Sequence, residues 1–71
     1  MRTITGEITK IAQAVIDGTS HYYLMIDGSE DIFDVSVVDY IDVVRCEAGQ
    51  TVMMEYKKGE KTDTVVSLKI K

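Results

Sequence analysis

Five short segments in which apolar and polar residues alternate occupy almost all of this 71-residue chain. Turn signals such as Asp17-Gly18 and Asp27-Gly28-Ser29 separate the segments, and alternation between such signals is typical of β-strands. No proline is present, so each strand can pair along both edges. The length is that of one domain near the lower limit for a self-sufficient core. The pattern therefore predicts a single all-β domain over residues 1–71, with about the number of strands that one small closed barrel needs.

The predicted strands each turn one set of side chains inward. Those inward sets are Ile4, Gly6 and Ile8; Tyr22, Leu24 and Ile26; Phe33, Val35 and Val37; Val52, Met54 and Tyr56; and Val66, Leu68 and Ile70. Ile8 and Ile11 are three residues apart, so the alternation slips near Thr9-Lys10 and predicts a bulge there. Gly6 allows a tight bend in the same strand. Asp17-Gly18 predicts a tight hairpin.

The stretch from residue 38 to residue 48 connects the third and fourth strands, and two interpretations of it stay open. Val37, Tyr40, Ile41 and Val44 have the spacing of one helical face, and Ser36 or Asp39 could cap a helix there. The valines lower helix propensity. The connection is therefore predicted to be one or two helical turns or an irregular segment.

Three strands, a short connection and two further strands form an order that resembles the OB-fold. The resemblance covers the whole chain and rests on Gly6-Glu7-Ile8-Thr9-Lys10-Ile11 as a bent first strand and on Ala48-Gly49-Gln50-Thr51-Val52 before the fourth. It implies a five-stranded Greek-key barrel that binds its ligand through the face of strands 2 and 3 and the loops after strands 1 and 4. An SH3-like barrel is the alternative architecture.

The net charge of −4 is unevenly distributed. Residues 1–42 carry two basic and eight acidic side chains, and residues 43–71 carry six basic and four acidic ones. A general polyanion-binding protein usually spreads Lys and Arg over one face of a basic chain. The uneven charge instead predicts an acidic middle and a modestly basic tail.

Residue types that perform catalysis or bind metals are scarce. His21 is the one histidine, and Cys46, surrounded by valine and alanine, is predicted to be a small buried side chain. One His and one Cys do not make a zinc pattern, and the acidic turn at Asp27-Gly28-Ser29-Glu30-Asp31 lacks the order of a calcium loop. We therefore expect no enzyme activity, no catalytic residues, no metal and no cofactor. No small-molecule substrate is evident.

The N-terminal residues bear on location. Met1-Arg2-Thr3-Ile4 passes directly into a strand pattern, so no signal peptide is expected. No apolar run approaches the roughly 18–20 residues of a membrane span. A cytoplasmic location and no membrane partner are the resulting expectations.

The outward face of strands 2 and 3 is the main predicted binding surface. Tyr23, Met25 and Ile32 are the apolar contacts, and Asp31 and Asp34 supply acidic charge. Such a face can dock on a basic protein and speed the encounter by long-range attraction. We therefore expect a protein partner, with self-association through the same face as a variant of that prediction.

Single-stranded nucleic acid is the alternative ligand. Tyr23 could stack on a base, and Arg45, Lys57, Lys58 and Lys61 could contact phosphates from one rim. The acids near Tyr23 oppose this interpretation, because like charges about 4 Å apart in water repel by about 1 kcal/mol. A third interpretation makes the acidic middle an imitation of a phosphate backbone that inhibits a basic partner.

Overall fold

The computed structural model describes residues 1–36 and 45–71. Its strands, in chain order, are β1 (Arg2–Ile16), β2 (Thr19–Ile26), β3 (Ile32–Ser36), β4 (Thr51–Lys57) and β5 (Asp63–Ile70). The predicted inward position of Val37 and the helical face from Val37 to Val44 lie outside the described residues. Each of the five predicted strands is present, with bounds that differ by a few residues at the ends.

The five strands form one mixed sheet that closes in a ring. The order around the ring is β1-β2-β3-β5-β4, and β4 pairs back onto β1. All neighbouring pairs are antiparallel except β3 and β5, which run parallel. The predicted all-β class and five-stranded closed arrangement are confirmed.

The length and bend of β1 allow the ring to close. Its first half pairs with β4 and its second half pairs with β2, and the register to β2 shifts between Ile8 and Lys10. This shift is the predicted bulge, which increases local twist and bends the strand. A side chain at Gly6 would place its Cβ 2.6 Å from Cγ2 of Ile26, so only glycine fits where β1 lies over β2.

The hairpin between β1 and β2 turns at Asp17-Gly18, as predicted. Both residues have positive φ, 50° at Asp17 and 79° at Gly18. Two consecutive positive φ angles define the type I′ turn, whose twist matches that of the flanking strands. A second turn follows β2, where the N–H of Ser29 donates to the carbonyl of Ile26 at 3.1 Å. These two turns place β1, β2 and β3 side by side.

The interior is filled by side chains from all five strands. Its buried members are Ile8, Leu24, Ile26, Phe33, Val35, Cys46, Val52, Met54, Tyr56 and Val65. The Phe33 and Tyr56 rings meet edge to face, with centroids 5.0 Å apart and an interplanar angle of 82°. Ile4, Ile11, Tyr22 and Leu68 pack around this core. The inward assignments on β2 and β4, the described ones on β3, and the buried position of Cys46 are confirmed.

On β5, two of the three predicted inward residues are wrong. Val65 is buried instead of Val66, and Ile70 is 39% exposed. The cause is a second irregularity: Val65 lies opposite Tyr56 and Ser67 lies opposite Glu55, so Val66 is an extra residue with no opposite partner. Such a bulge reverses the facing of the residues on one side of it. Ile70 is the last residue of β5.

Candidate binding face on strands β2 and β3

The candidate site is the outward surface of two paired strands. We call it the β2–β3 face, and it consists of His21, Tyr23 and Met25 from β2 with Ile32, Asp34 and Ser36 from β3. These residues alternate with the buried ones, so the period of two in each strand turns them away from the core. They include the predicted apolar contacts and one of the two predicted acids.

Strand register brings the predicted apolar residues together. Met25 lies directly opposite Ile32, and Tyr23 lies directly opposite Asp34. Residues opposite each other in an antiparallel pair have Cβ atoms about 4.5–5.5 Å apart, so their side chains are neighbours on the sheet. Ile32 is 38% exposed, while Tyr23 and Met25 are partly buried. The result is a short apolar strip with a carboxylate beside it.

His21 belongs to this face through two contacts that sequence reasoning missed. Its Nδ1 lies 2.8 Å from Oδ1 of Asp34, which connects β2 to β3. Its ring stacks beside that of Tyr23, with centroids 6.4 Å apart and an interplanar angle of 16°. The two rings stand two residues apart on one strand, which is a signal visible in the sequence. The Asp34 contact could be found only once the register was known.

A row of opposite residues extends from the face across four strands. Tyr23 lies opposite Asp34, Asp34 opposite Thr64, and Thr64 opposite Lys57. Three interstrand steps of about 4.8 Å separate the first residue from the last along the sheet. Tyr23 and Lys57, which were predicted from separate parts of the chain, therefore share one row. The carboxylate of Asp34 belongs to the same row.

Lys58 forms an ion pair with the acidic rim of the face. Its Nζ donates to Oδ2 of Asp31 at 2.6 Å. The hydrogen bond from Lys58 lowers the pKa of Asp31 below its ordinary 3.8, and the same bond raises the pKa of Lys58 above 10.5. The loop between β4 and β5 is thereby joined to the end of the β2–β3 connection. Because Lys58 is paired with Asp31, its ammonium group is less able to contact a phosphate of a nucleic acid.

A buried carboxylate lies beneath this ion pair. Asp63 is 1% exposed, and its Oδ1 accepts the N–H of Gly59 at 3.1 Å and lies 3.7 Å from Nζ of Lys58. Its Oδ2 has no hydrogen-bond partner within the described residues. A buried polar group needs polar partners to be tolerated. The N–H of Gly59 and Nζ of Lys58 lie beside Oδ1 of Asp63, and these contacts hold the loop after β4 against the start of β5.

The remaining predicted basic residues are Lys61 and Arg45. Lys61 is exposed in the loop after β4. Arg45 lines an open cavity of about 270 Å³ together with Leu68, Lys69 and Ile70. That cavity lies at the end of β5, whereas the β2–β3 face adjoins the start of β5. The structure thus separates Arg45 from Tyr23.

Comparisons with known proteins do not add a functional assignment. The chain matches no known protein family, no curated protein and no solved structure. Within residues 1–36 and 45–71, no cluster of three or more His, Cys, Asp or Glu side chains could hold a metal ion. The same residues include no helix of the length and apolarity needed to cross a membrane.

Proposed function

We propose that this protein is a small non-catalytic binding module that docks on a protein partner through the β2–β3 face. The observation that carries the proposal is the strip in which Tyr23, Met25 and Ile32 lie side by side on the outside of the sheet. Aromatic residues and methionine are enriched at the centres of protein interfaces, and a few such anchors supply most of the binding energy. The strip has this composition.

The rim of the face gives the partner its expected chemistry. Asp34 stands within the face and Glu30 precedes it in the connection from β2, while the charge of Asp31 in the same connection is paired with Lys58. Acidic groups around an apolar centre favour a basic surface on the partner, and their long-range attraction raises the association rate. We therefore expect the partner to be a protein with a basic patch around an apolar pocket.

The ring order supports an OB-like arrangement over the SH3-like alternative. The fifth strand lies between the third and fourth, and β1 is shared between β2 and β4. In OB-folds the face of strands 2 and 3 is the usual binding surface. The strip occupies that face, so fold resemblance and surface chemistry favour the same location.

The proposal is tested by capturing the partner and then measuring its affinity. Immobilised chain retains binding proteins, which are identified and purified, and the affinity of each is compared between Ile32→Glu and Thr51→Glu. Both substitutions put one carboxylate at an exposed strand position, but only residue 32 lies on the β2–β3 face. We expect Ile32→Glu to weaken binding at least tenfold and Thr51→Glu to leave it unchanged. Equal effects of the two variants would contradict the proposal.

Association rates test the acidic rim separately. Asp34→Lys reverses one charge in the face, so association with a basic partner should slow and its salt dependence should weaken. Because Asp34 also contacts His21, Asp34→Asn serves as a control that keeps the side-chain shape. An on-rate that is the same in all three proteins would reject the acidic rim.

A second candidate function, single-stranded nucleic-acid binding, is favoured by the stacked rings of His21 and Tyr23. Base stacking on an aromatic ring contributes about 1–3 kcal/mol per base. Asp34 between Tyr23 and Lys57 and the pairing of Lys58 with Asp31 oppose it. Titration of a labelled oligonucleotide at ~50 mM and ~200 mM salt tests this second function. Phosphate contacts release counterions, so an affinity that depends on them falls as the salt concentration rises. Tight, salt-sensitive binding that Tyr23→Ala abolishes would favour nucleic acid over a protein partner.

A further inference from the structure

The second half of β1 has an edge that no described strand covers. Pairing with β4 runs from Arg2 to Glu7, and Ile8 completes it by exchanging hydrogen bonds with Gly49 and Gln50. From Lys10 to Ile16, β1 pairs only with β2. The hairpin therefore extends past the start of β4. Its outer edge consists of backbone groups without a sheet neighbour in the part of the chain that the structure describes.

The hairpin register shows which backbone groups this edge presents. Ile16 and Thr19 flank a two-residue turn, so they exchange both hydrogen bonds across the hairpin. In an antiparallel ladder the direction alternates at each residue. The N–H and C=O groups of Ile11, Gln13 and Val15 therefore point away from β2. We call these groups the open β1 edge.

Side chains along the open β1 edge do not protect it from pairing. Val15 is 67% exposed and Ile16 is 45% exposed. Natural proteins usually shield an edge with proline, with several charges or with a covering segment. Here Lys10 is the one ionisable residue from Thr9 to Ile16, although residues 1–42 carry eight acids. The open β1 edge is thus a nearly neutral apolar segment within the acidic half of the chain.

We propose that two copies of this chain associate by antiparallel pairing of their open β1 edges. A two-fold axis between antiparallel strands passes through a pair of identical residues. With Gln13 opposite Gln13 of the second copy, Ile11 lies opposite Val15 at both ends. All outward backbone groups of the three residues are then paired, and the exposed Val15 gains an apolar neighbour. The two hairpins form one continuous sheet across the dimer.

Charge distribution favours a second copy over an unrelated partner. In this register Lys10 lies opposite Ile16 of the second copy. The end of the edge that receives Lys10 carries the turn residue Asp17 and no basic residue, and the two-fold axis repeats this arrangement at the other end. No two like charges are opposite each other. Opposite charges across strands stabilise pairing and like charges oppose it.

The proposed dimer is independent of the proposed docking function. The β2–β3 face lies on the outer surface of neighbouring strands and contributes no backbone group to the open β1 edge. The dimer would therefore present two docking faces to its partners. Failure of one proposal leaves the other standing, because each is tested by its own variants.

The oligomeric state tests the proposal directly. Sedimentation equilibrium should show a concentration-dependent dimer for the unmodified chain. Gln13→Lys puts two ammonium groups opposite each other at the axis, and a repulsion of about 1 kcal/mol corresponds to roughly fivefold weaker dimerisation or more. Thr51→Lys adds the same charge at an exposed position on β4 and should not change it. Mixing Gln13→Lys with Gln13→Glu should restore dimerisation as a heterodimer.

Amide hydrogen exchange of the unmodified chain tests the same proposal without any substitution. The amides of Ile11, Gln13 and Val15 should become slower to exchange as protein concentration rises, while the amides of loop residues stay constant. If the chain stays monomeric at protein concentrations up to about 1 mM, the proposal is overturned, because a dimer that weak has an association free energy of only about 4 kcal/mol. A dimer that Gln13→Lys does not weaken would also overturn it, as would an edge that pairs only with an added extended peptide.

Discussion

The close approach of β1 to β2 makes Gly6 a sensitive position. A Cβ there would lie 2.6 Å from Cγ2 of Ile26, a branched side chain that is almost fully buried and cannot swing away. Forcing an extra methyl into a packed core costs about 1–3 kcal/mol. A chain of this size has a total unfolding free energy of roughly 4–11 kcal/mol. Gly6→Ala should therefore remove a substantial part of the stability.

Chemical denaturation and thermal melting measure that loss. For a domain of this length each kcal/mol lowers Tm by about 4–8 °C, so Gly6→Ala should lower it by roughly 4–24 °C. Thr5→Ala is the neighbouring control, since Thr5 is exposed and its loss should change stability by about 0.5 kcal/mol at most.

A double-mutant cycle identifies the cause of the loss. Ile26→Ala alone should cost about 2–5 kcal/mol, because it leaves a cavity in the core. In that background Gly6→Ala should cost almost nothing, since the clashing methyl is gone and the new one fills part of the cavity. Additivity within about 0.5 kcal/mol would refute the proposed contact, and so would Gly6→Ala with unchanged stability.

Three further changes probe other parts of the fold. Lys58→Met removes the ion-pair partner of Asp31. The lowered pKa of Asp31 contributes stability above pH 3.8, and this contribution is lost as the pH falls further. The raised pKa of Lys58 contributes stability below pH 10.5, and this contribution is lost as the pH rises further. Melting curves should therefore show the variant less stable between these limits and the difference shrinking outside them; a difference independent of pH would contradict this. Gly18→Ala puts a side chain at φ 79° and should cost about 1–2 kcal/mol in urea unfolding. Phe33→Ala removes a fully buried ring in contact with Tyr56, and a loss well below about 3–5 kcal/mol would mean that the core is packed differently.

The predictable part of the fold is the part set by local chemistry. Asp17-Gly18 predicts its turn because few residues tolerate two positive φ angles in succession. The three-residue step from Ile8 to Ile11 predicts a bulge because strict alternation cannot bury both side chains. Such signals depend only on neighbours in the chain, so a single sequence contains them.

The error on β5 has a different origin. Val65 and Val66 are both apolar, so alternation alone does not decide which faces the core. The choice is made by pairing with β4, where Val66 is the extra residue between two matched pairs. A bulge of this kind depends on a partner strand, and its position is not determined within β5. Long-range register was therefore the missing information.

The candidate site also combines features set by neighbours in the chain with features set by long-range pairing. The period of two placed Tyr23, Met25 and Ile32 on the outside of the sheet, and the structure has them there. The pairing of Lys58 with Asp31 joins residues 27 positions apart and required the closed ring to be known. As a result, a loop that was predicted from the sequence to be a basic rim has one of its lysines, Lys58, paired with Asp31.

Mapping the surface that a captured partner covers tests the proposed function most directly. Isotope-labelled chain is titrated with that partner while the backbone amide resonances are followed. The largest shifts should fall on Tyr23, Met25, Ile32 and Asp34, with little change along the pairing of Arg2–Glu7 with β4. Shifts confined to the β1–β4 side, with the β2–β3 face unaffected, would contradict the proposed docking surface.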